Sequence, residues 1–370
     1  MLNIANRLWR KINGVCVKIY SIYKTYKKYR SYAKKKSGKN YANQLVEMIA
    51  LLFKGYHEEE YYILNLYDDT KDYVSTRQFN TIIETLNPPN RRGLVDSNKY
   101  ILSQYLTNHN LPTPKCYGIL HKTYGFTTSF MSLRNLYELR LLLKHIDACP
   151  IVFKPAGNTR GGFGVFAAEK YEVDNDSIKV NDGIRITLES FYEKLKPSLA
   201  LGVLIQEKVL QHDMVAKIHP FSTNCARIYS VIDGKGNMLI IGAIIKFGSR
   251  KSVVDNSKAS KGVFSKIDIQ TGVVGPAYEF FKRDPMEYHP YTLQRIEGLE
   301  LPYWNQALEL VKKAHTILAF RCGTFGWDIA FGQNMPIIIE ANSKWDHNHF
   351  QKAHQMSLNK TILKQILDAQ

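Results

Sequence analysis

The stretch from Phe325 to Asn342 constrains this chain more than any other. Two apolar runs, Trp327 to Phe331 and Pro336 to Ile339, flank a Gly-Gln-Asn turn, which predicts a β-hairpin. The first run carries one carboxylate, Asp328, and the second ends in Glu340 with Asn342 two residues on. Residues i and i+2 of a strand share a face, so Glu340 and Asn342 project together and the hairpin brings Asp328 alongside. A carboxylate among apolar neighbours is costly without a partner. Two carboxylates and an amide oxygen on rigid strands suit magnesium and a polyphosphate. The plain alternative is a strand pair with a polar end.

Length and charge bound the rest. A chain of 370 residues has room for two or three packed domains. No apolar run reaches the ~18 residues needed to span a bilayer, and no secretory signal is expected at the N-terminus. Five cysteines (Cys16, Cys116, Cys149, Cys225, Cys322) are scattered and never in Cys-x-x-Cys spacing. That favours reduced thiols and a cytoplasmic location over a disulfide framework or a zinc site. The formal charge of +17 sits mostly at one end, because residues 1–40 hold twelve Lys or Arg and no acid, leaving +5 for the remainder.

Within that basic end Leu8, Ile12, Val15, Ile19, Ile22, Tyr26 and Tyr29 recur at three- and four-residue spacing. They predict an amphipathic basic helix, weakened at Gly14 and followed by a flexible linker from Lys34 to Lys39. With Trp9 and several tyrosines, residues 1–38 could lie on the anionic inner face of a membrane. They could equally pack on the body of the protein, with nucleic acid a third partner.

Helical patterns fill residues 41–86 and end at Asn87-Pro-Pro-Asn90. A helix capped by Asp96 to Lys99 follows, then strand-like Tyr117 to Leu120, a helix from Leu133 to Ile146 and a short strand, Ile151 to Lys154. Lys154 leads into a turn containing Gly161, Gly162 and Gly164, then a strand from Val165. Glycines allow backbone amides to approach an anion closely, and a lysine adds a point charge for phosphate. The loop is neither a Walker A motif nor a dinucleotide-binding fingerprint, because it runs from strand to strand. Leu201 to Ile205 is a strand ending near Glu207, Lys208 and Val209. Arg227 and Lys246 sit at apolar positions of later strands, where burial demands an anion, either a salt-bridge partner or a nucleotide phosphate. Leu308 to Phe320 is an amphipathic helix, and Trp345 to His349 is a His-rich loop in which His347 and His349 could line a substrate site or bind a metal.

The order of these parts resembles the ATP-grasp superfamily over about residues 95–355. The strongest likeness is the Asp328 to Glu340 spacing with Asn342, similar to D-alanine–D-alanine ligases and biotin carboxylases. His219 to Arg227, Val254-Asp-Asn256 and Ile267 to Gly272 resemble the sugar-transfer-associated ATP-grasp group. The resemblance implies an α+β fold of two lobes enclosing ATP, after a helical N-terminal region. The implied division is a basic helix and linker (1–40), a helical region (41–95), lobe 1 (96–207) and lobe 2 (208–370). It implies that Lys99 and Lys154 hold the α- and β-phosphates under the Gly161, Gly162 and Gly164 loop. Glu207, with the backbone of Lys208 and Val209, receives adenine and ribose, and Asp213 is a further ribose candidate. Asp328, Glu340 and Asn342 bind magnesium, and Arg227 and Lys246 steady the transferred phosphoryl group. Asp255, Asn256, His347 and His349 face the substrate.

There are departures. Gly326 and Trp327 stand where D-alanine ligases carry an Arg, and Lys261-Gly262 where the sugar-associated group carries paired glycines. The expected activity is ATP-dependent joining of a carboxylate to an amine through an acyl phosphate, in surface-polysaccharide or sugar-conjugate biosynthesis. A kinase acting on a sugar or polyol hydroxyl, and a non-catalytic membrane- or polyanion-binding protein, are the alternatives.

Overall fold

The computed structural model describes residues 2–67, 72–93, 98–146, 150–157, 162–180, 183–250, 252–253 and 262–368, with side chains from Cys16 to Ile366 apart from Ile362. The chain begins with one long helix, α1 (Leu2–Ser37), that runs through Gly14 without a break. The lysine-rich run expected as a linker forms its last turn instead, since Lys is a good helix former and only Gly38 and the two residues after it leave the helix. Asn40 caps α2 (Tyr41–Phe53) by accepting from the Asn43 amide. After α3 (Glu60–Ile63), a capping box between Ser75 and Gln78 starts α4 (Thr76–Leu86). Asn98 caps α5 (Lys99–Asn108). Among the described residues no helix is long and apolar enough to cross a membrane.

Two antiparallel sheets follow. The first holds β1 (Cys116–Leu120), β2 (Phe126–Thr127), β3 (Ile151–Pro155), β4 (Phe166–Glu172), β5 (Ser177–Val180), β6 (Ile184–Thr187) and β7 (Val203–Glu207), in the order β2-β1-β7-β3-β4-β5-β6. Helices α6 (Leu136–Lys144) and α7 (Leu188–Leu195) cover it, burying Leu139, Leu143, Phe191 and Leu195 against Phe153 and Ile205.

The second sheet holds β8 (Cys225–Ile232), β9 (Met238–Phe247), β10 (Val263–Ile267), β11 (Val274–Glu279), β12 (Thr324–Phe331) and β13 (Pro336–Asn342), in the order β11-β10-β9-β8-β12-β13. A short helix, α8 (Asp213–Ala216), links the two sheets. Both faces of the second sheet are covered, which explains why all eight residues of β12 are buried. On one face α9 (Trp304–Leu318) packs Val311, Ala314 and Leu318 on Phe325, Trp327 and Ile329. Leu102 and Leu106 of α5 join this core, although the sequence reading groups α5 with lobe 1. On the other face α4, α10 (His347–His354) and α11 (Ile362–Asp368) close over Tyr229, Ile244 and Phe264. The result is an α+β fold of two lobes preceded by helices.

Two buried polar clusters fix the opening hairpin. The Asn87 amide donates to the carbonyls of Thr324 (2.8 Å) and Ser343 (2.6 Å), and its oxygen accepts from the Thr324 amide at 3.0 Å. Asn87 thus ties the helical region to both ends of the β12–β13 hairpin. Below it, Trp327 donates to the Ser230 hydroxyl at 2.9 Å, which pairs with Nδ1 of His315 at 2.7 Å. Burial lowers the His315 pKa to about 4, so the ring stays neutral in this core.

Lys352 of α10 is 1% exposed, and its ammonium donates to the Ile63 carbonyl at 2.6 Å. Burial lowers its pKa from 10.5 to about 7. Folding therefore releases this proton between pH 7 and the unfolded value. The penalty of burying the lysine is full below about pH 7 and fades as pH rises. Chemical denaturation of the wild type and Lys352→Met should show the wild type gaining about 2–3 kcal/mol relative to the variant between pH 6 and pH 9.

Candidate active site

A row of charges crosses three neighbouring strands. Arg227 on β8 stands opposite Asp328 on β12, and Asp328 stands opposite Glu340 on β13. Arg227 grips Asp328 with two bonds, Nε to Oδ1 at 2.8 Å and Nη2 to Oδ2 at 2.6 Å. Lys246 on β9 approaches the same carboxylate at 3.4 Å. The partner that the sequence left open for Arg227 and Lys246 is therefore Asp328. Burial works to raise the Asp328 pKa, but the two cations outweigh it and lower the value to about 2. Burial opposes the Arg227 charge in turn, and Asp328 overcomes it and holds the guanidinium pKa above its usual range. Gly326 makes the geometry possible, because a Cβ there would lie 2.7 Å from Cβ of Trp345 and 3.4 Å from Cδ of Arg227.

The row faces a cavity of about 650 Å³ between the sheets. From the first sheet come Lys154 of β3 and Glu207 of β7, with Lys99 from the start of α5. The Lys99 amide donates to the Ala156 carbonyl at 2.7 Å, which seats α5 beside β3. Its ammonium pairs with Glu340 at 3.2 Å. Burial, and after it the neighbouring Lys99, lower the Lys154 pKa, while Glu340 works against them. Gly162 and Gly164 both have φ of +73°, and Gly162 lines the cavity. Gly164 instead lies against Pro155 and Ser198, outside the lining. Val152, Ala167, Val209 and Ile339 form an apolar slot beside Glu207 and Lys208. The Lys208 amide is committed to the Pro150 carbonyl at 2.9 Å, and burial lowers its side-chain pKa. The described wall carries six Lys or Arg and four Asp or Glu, a positive excess that favours a polyanion.

The opposite end is walled by the N-terminal helices, through Thr76, Phe79 and Asn80 of α4, together with Lys344 to His349. Here the structure corrects the sequence reading, because His347 and His349 lie in the first turn of α10 rather than on a loop. Asp346 caps that helix, accepting from the Asn348 amide at 2.8 Å, and meets His349 Nδ1 at 3.0 Å. Burial works to raise the Asp346 pKa, but His349 and His347 hold it well below the usual range. His347 stacks on Phe79 with ring centroids 4.4 Å apart, and its Nε2 lies 3.0 Å from Oε1 of Glu60. Glu60 is 1% exposed, and its other oxygen accepts from the His57 amide at 2.6 Å. A carboxylate can only accept, so Nε2 carries the proton and Nδ1 is the nitrogen left for other chemistry. The side-chain oxygen of Asn348, a residue of the cavity wall, is buried without a hydrogen-bond partner among the described residues.

Of the residues singled out by sequence, Lys99, Lys154, Gly162, Glu207, Lys208, Val209, Arg227, Lys246, Asp328, Glu340, Asn342, His347 and His349 line one cavity. Asp213 does not, since it opens α8 and meets Gln333 at 3.3 Å. Gly161, Asp255 and Asn256 lie outside the described residues. Among the described residues no group of three His, Cys, Asp or Glu could hold a metal ion, so the His-rich end does not form one. Glu340, Asn342 and Asp328 still offer hard oxygens suited to magnesium, with Asp328 already shared by Arg227. No local pattern marks Glu60, Asn80, Asp346 or Asn348 as functional. Only the Asp-x-x-His spacing of Asp346 and His349 hints at a helix cap.

A family model described as sugar-transfer associated ATP-grasp matches residues 77–367. No curated relative matches the sequence. Among solved structures the chain is similar to the ATP-grasp ligase PsnB complexed with a minimal precursor, at 13% identity and a TM-score of 0.41, covering 77% of this chain and 64% of that one. It is also similar to biotin carboxylase from Campylobacter jejuni, at 14% identity and a TM-score of 0.46, covering 76% and 47%. A third is L-amino acid ligase from Bacillus licheniformis, at 12% identity and a TM-score of 0.39, covering 74% and 46%. The chain thus spans less than two thirds of the length of each of these.

Removing Arg227 takes away the bidentate partner of buried Asp328 and leaves Lys246, at 3.4 Å, to offset its charge. Arg227→Met should lower unfolding free energy by about 3–5 kcal/mol. Adding Asp328→Asn should cost little more, a non-additivity that a double-mutant cycle in denaturant would measure.

Proposed function

The chain belongs to the sugar-transfer-associated ATP-grasp family, and we propose that it is an ATP- and magnesium-dependent ligase joining a carboxylate to an amine, with ADP and phosphate released. The observation that carries this reading is the convergence of Lys99, Lys154, Arg227 and Lys246 with Glu340 and Asp328 on one cavity beside an apolar slot. Polysaccharide or sugar-conjugate synthesis is the setting that the family description favours.

In this reading Val152, Ala167, Val209 and Ile339 take the purine, and Glu207 takes the ribose. Lys99 and Lys154 hold the α- and β-phosphates, with the Gly162 loop above them. Glu340 and Asn342 would hold magnesium, with Asp328 shared between it and Arg227. When bound, the ion neutralises charge on the triphosphate. A substrate carboxylate oxygen forms a bond to the γ-phosphorus as the bond to the β–γ bridging oxygen breaks. Arg227 and Lys246 steady the charge on the group in transfer. The amine then attacks the acyl carbon. A C–N bond forms, the C–O bond breaks, and phosphate leaves with the electron pair. His347, oriented by Glu60, takes the proton that the amine loses. Asp346 and Asn348 offer acceptors to the N–H donors of that amine.

The test is incubation with ATP, magnesium, candidate acids and hydroxylamine. Acid-dependent hydroxamate with ADP is the expected result, whereas AMP and pyrophosphate would refute the reading. A stable phosphorylated product without hydroxamate would mark a kinase. Glu340→Gln should lower turnover by about 10²-fold or more. His347→Asn should slow coupling to an alkyl amine by about 10²–10⁴-fold and hydroxamate formation much less, because an alkylammonium has one more proton to lose than hydroxylamine, which is already unprotonated at neutral pH.

A further inference from the structure

The long first helix carries two stripes, and only one of them is used by the fold. Ile22, Tyr26, Tyr29 and Ala33 turn inward and pack with Met48, Tyr61, Tyr62, Tyr67 and Phe281. Tyr29 stacks on Phe281 with centroids 4.4 Å apart, and Lys18–Glu58 at 3.2 Å and Lys36–Asp284 at 2.6 Å pin the helix at both ends of this contact. The second stripe follows the same three- and four-residue spacing through Cys16, Tyr20, Tyr23 and Lys27, all exposed. Val17, Ile19, Tyr20 and Tyr23 leave more than half of their surfaces in solvent, and exposed Lys24 and Lys35 flank the stripe. Its apolar and aromatic members thus lie towards the N-terminal end of the described part, and its charges towards the other.

We propose that this outward stripe of α1 seats on the surface of an anionic lipid bilayer. A helix with aromatic and aliphatic side chains beside a lysine row buries the former at the acyl boundary and sets the latter among lipid phosphates. Tyrosine suits that depth, with an apolar ring and a polar end. A second copy of the chain fits less well, because it would bring the exposed Lys24, Lys27 and Lys35 of one helix to a partner helix carrying the same charges and no acid. A nucleic acid would engage the lysines and leave Val17, Ile19, Tyr20 and Tyr23 without use. The inward stripe makes the seat rigid with respect to the body. It touches Tyr61 and Tyr62 of α3, whose first residue, Glu60, reaches His347 in the cavity wall. The bilayer seat and one wall of the cavity therefore share a four-residue helix. This inference does not depend on which reaction the cavity performs.

The test is flotation of the 370-residue chain with phosphatidylcholine vesicles containing about 30% phosphatidylglycerol, against pure phosphatidylcholine, in about 0.1 M salt. The protein should float with the anionic vesicles only and release as salt rises. Lys24→Gln, Lys27→Gln and Lys35→Gln should each weaken binding about fivefold. The Tyr20→Ser, Tyr23→Ser double variant should weaken it about tenfold or more. All should keep the wild-type circular dichroism and melting temperature, since these side chains are exposed. Failure to float with anionic vesicles overturns the proposal. So does equal binding to neutral vesicles, or a tyrosine variant that floats like the wild type. Displacement from vesicles by duplex RNA would assign the stripe to nucleic acid, and dimerisation that blocks flotation would assign it to a second copy; either refutes the lipid seat.

Discussion

Everything in the second lobe is arranged around one carboxylate that could not be buried alone. Asp328 lies in a strand with no exposed residue, and an unpaired charge there would cost several kcal/mol. Its partner must come from a neighbouring strand, and the order β9-β8-β12-β13 supplies Arg227 beside it and Lys246 one strand further. The pair is then more than a stabilising contact. It places two cations and two carboxylates on a single wall, held by the sheet before any ligand arrives.

The cavity is built from three parts rather than two. The sheets supply the charged and apolar walls, but its far end is closed by helices that precede both. Those helices are bound to the hairpin through the side chain of Asn87 and to α10 through Glu60 and His347. A residue outside the matched segment thus orients a side chain inside it, and the N-terminal region belongs to the working structure rather than preceding it.

Local patterns made the hairpin legible. Two apolar runs around a short turn have one register that buries both, and that register sets Asp328 opposite Glu340. The glycine-rich turn and the lysines were visible for the same reason, since each lies within a few residues of its strand. What joins strands a hundred residues apart leaves no local mark, so the Arg227 partner stayed open until the strand order was known. Glu60 was hidden among Glu58 and Glu59, a run that reads as a solvated face. The helix at His347 was hidden because its polar first turn shows no apolar period. Lys34 to Lys39 misled by composition, as lysines extend a helix as readily as they loosen a linker. Asp213 misled by proximity in sequence, because the chain turns into α8 and carries it away from the cavity.

The missing side chain at Gly326 ties distant properties of the protein together. Trp345 and Arg227 share the space above it, and Trp345 in turn meets Phe79 at 4.7 Å between ring centroids. Even one added carbon at this position would push on Trp345, whose Cβ it would meet at 2.7 Å, and would fill the space against Arg227, the residue that holds Asp328. A change of shape at the far end is therefore open to side chains of α4 or of the segment from Lys344 to His349, whereas a side chain on the strand beneath would press on the ring of Trp345 that backs this wall.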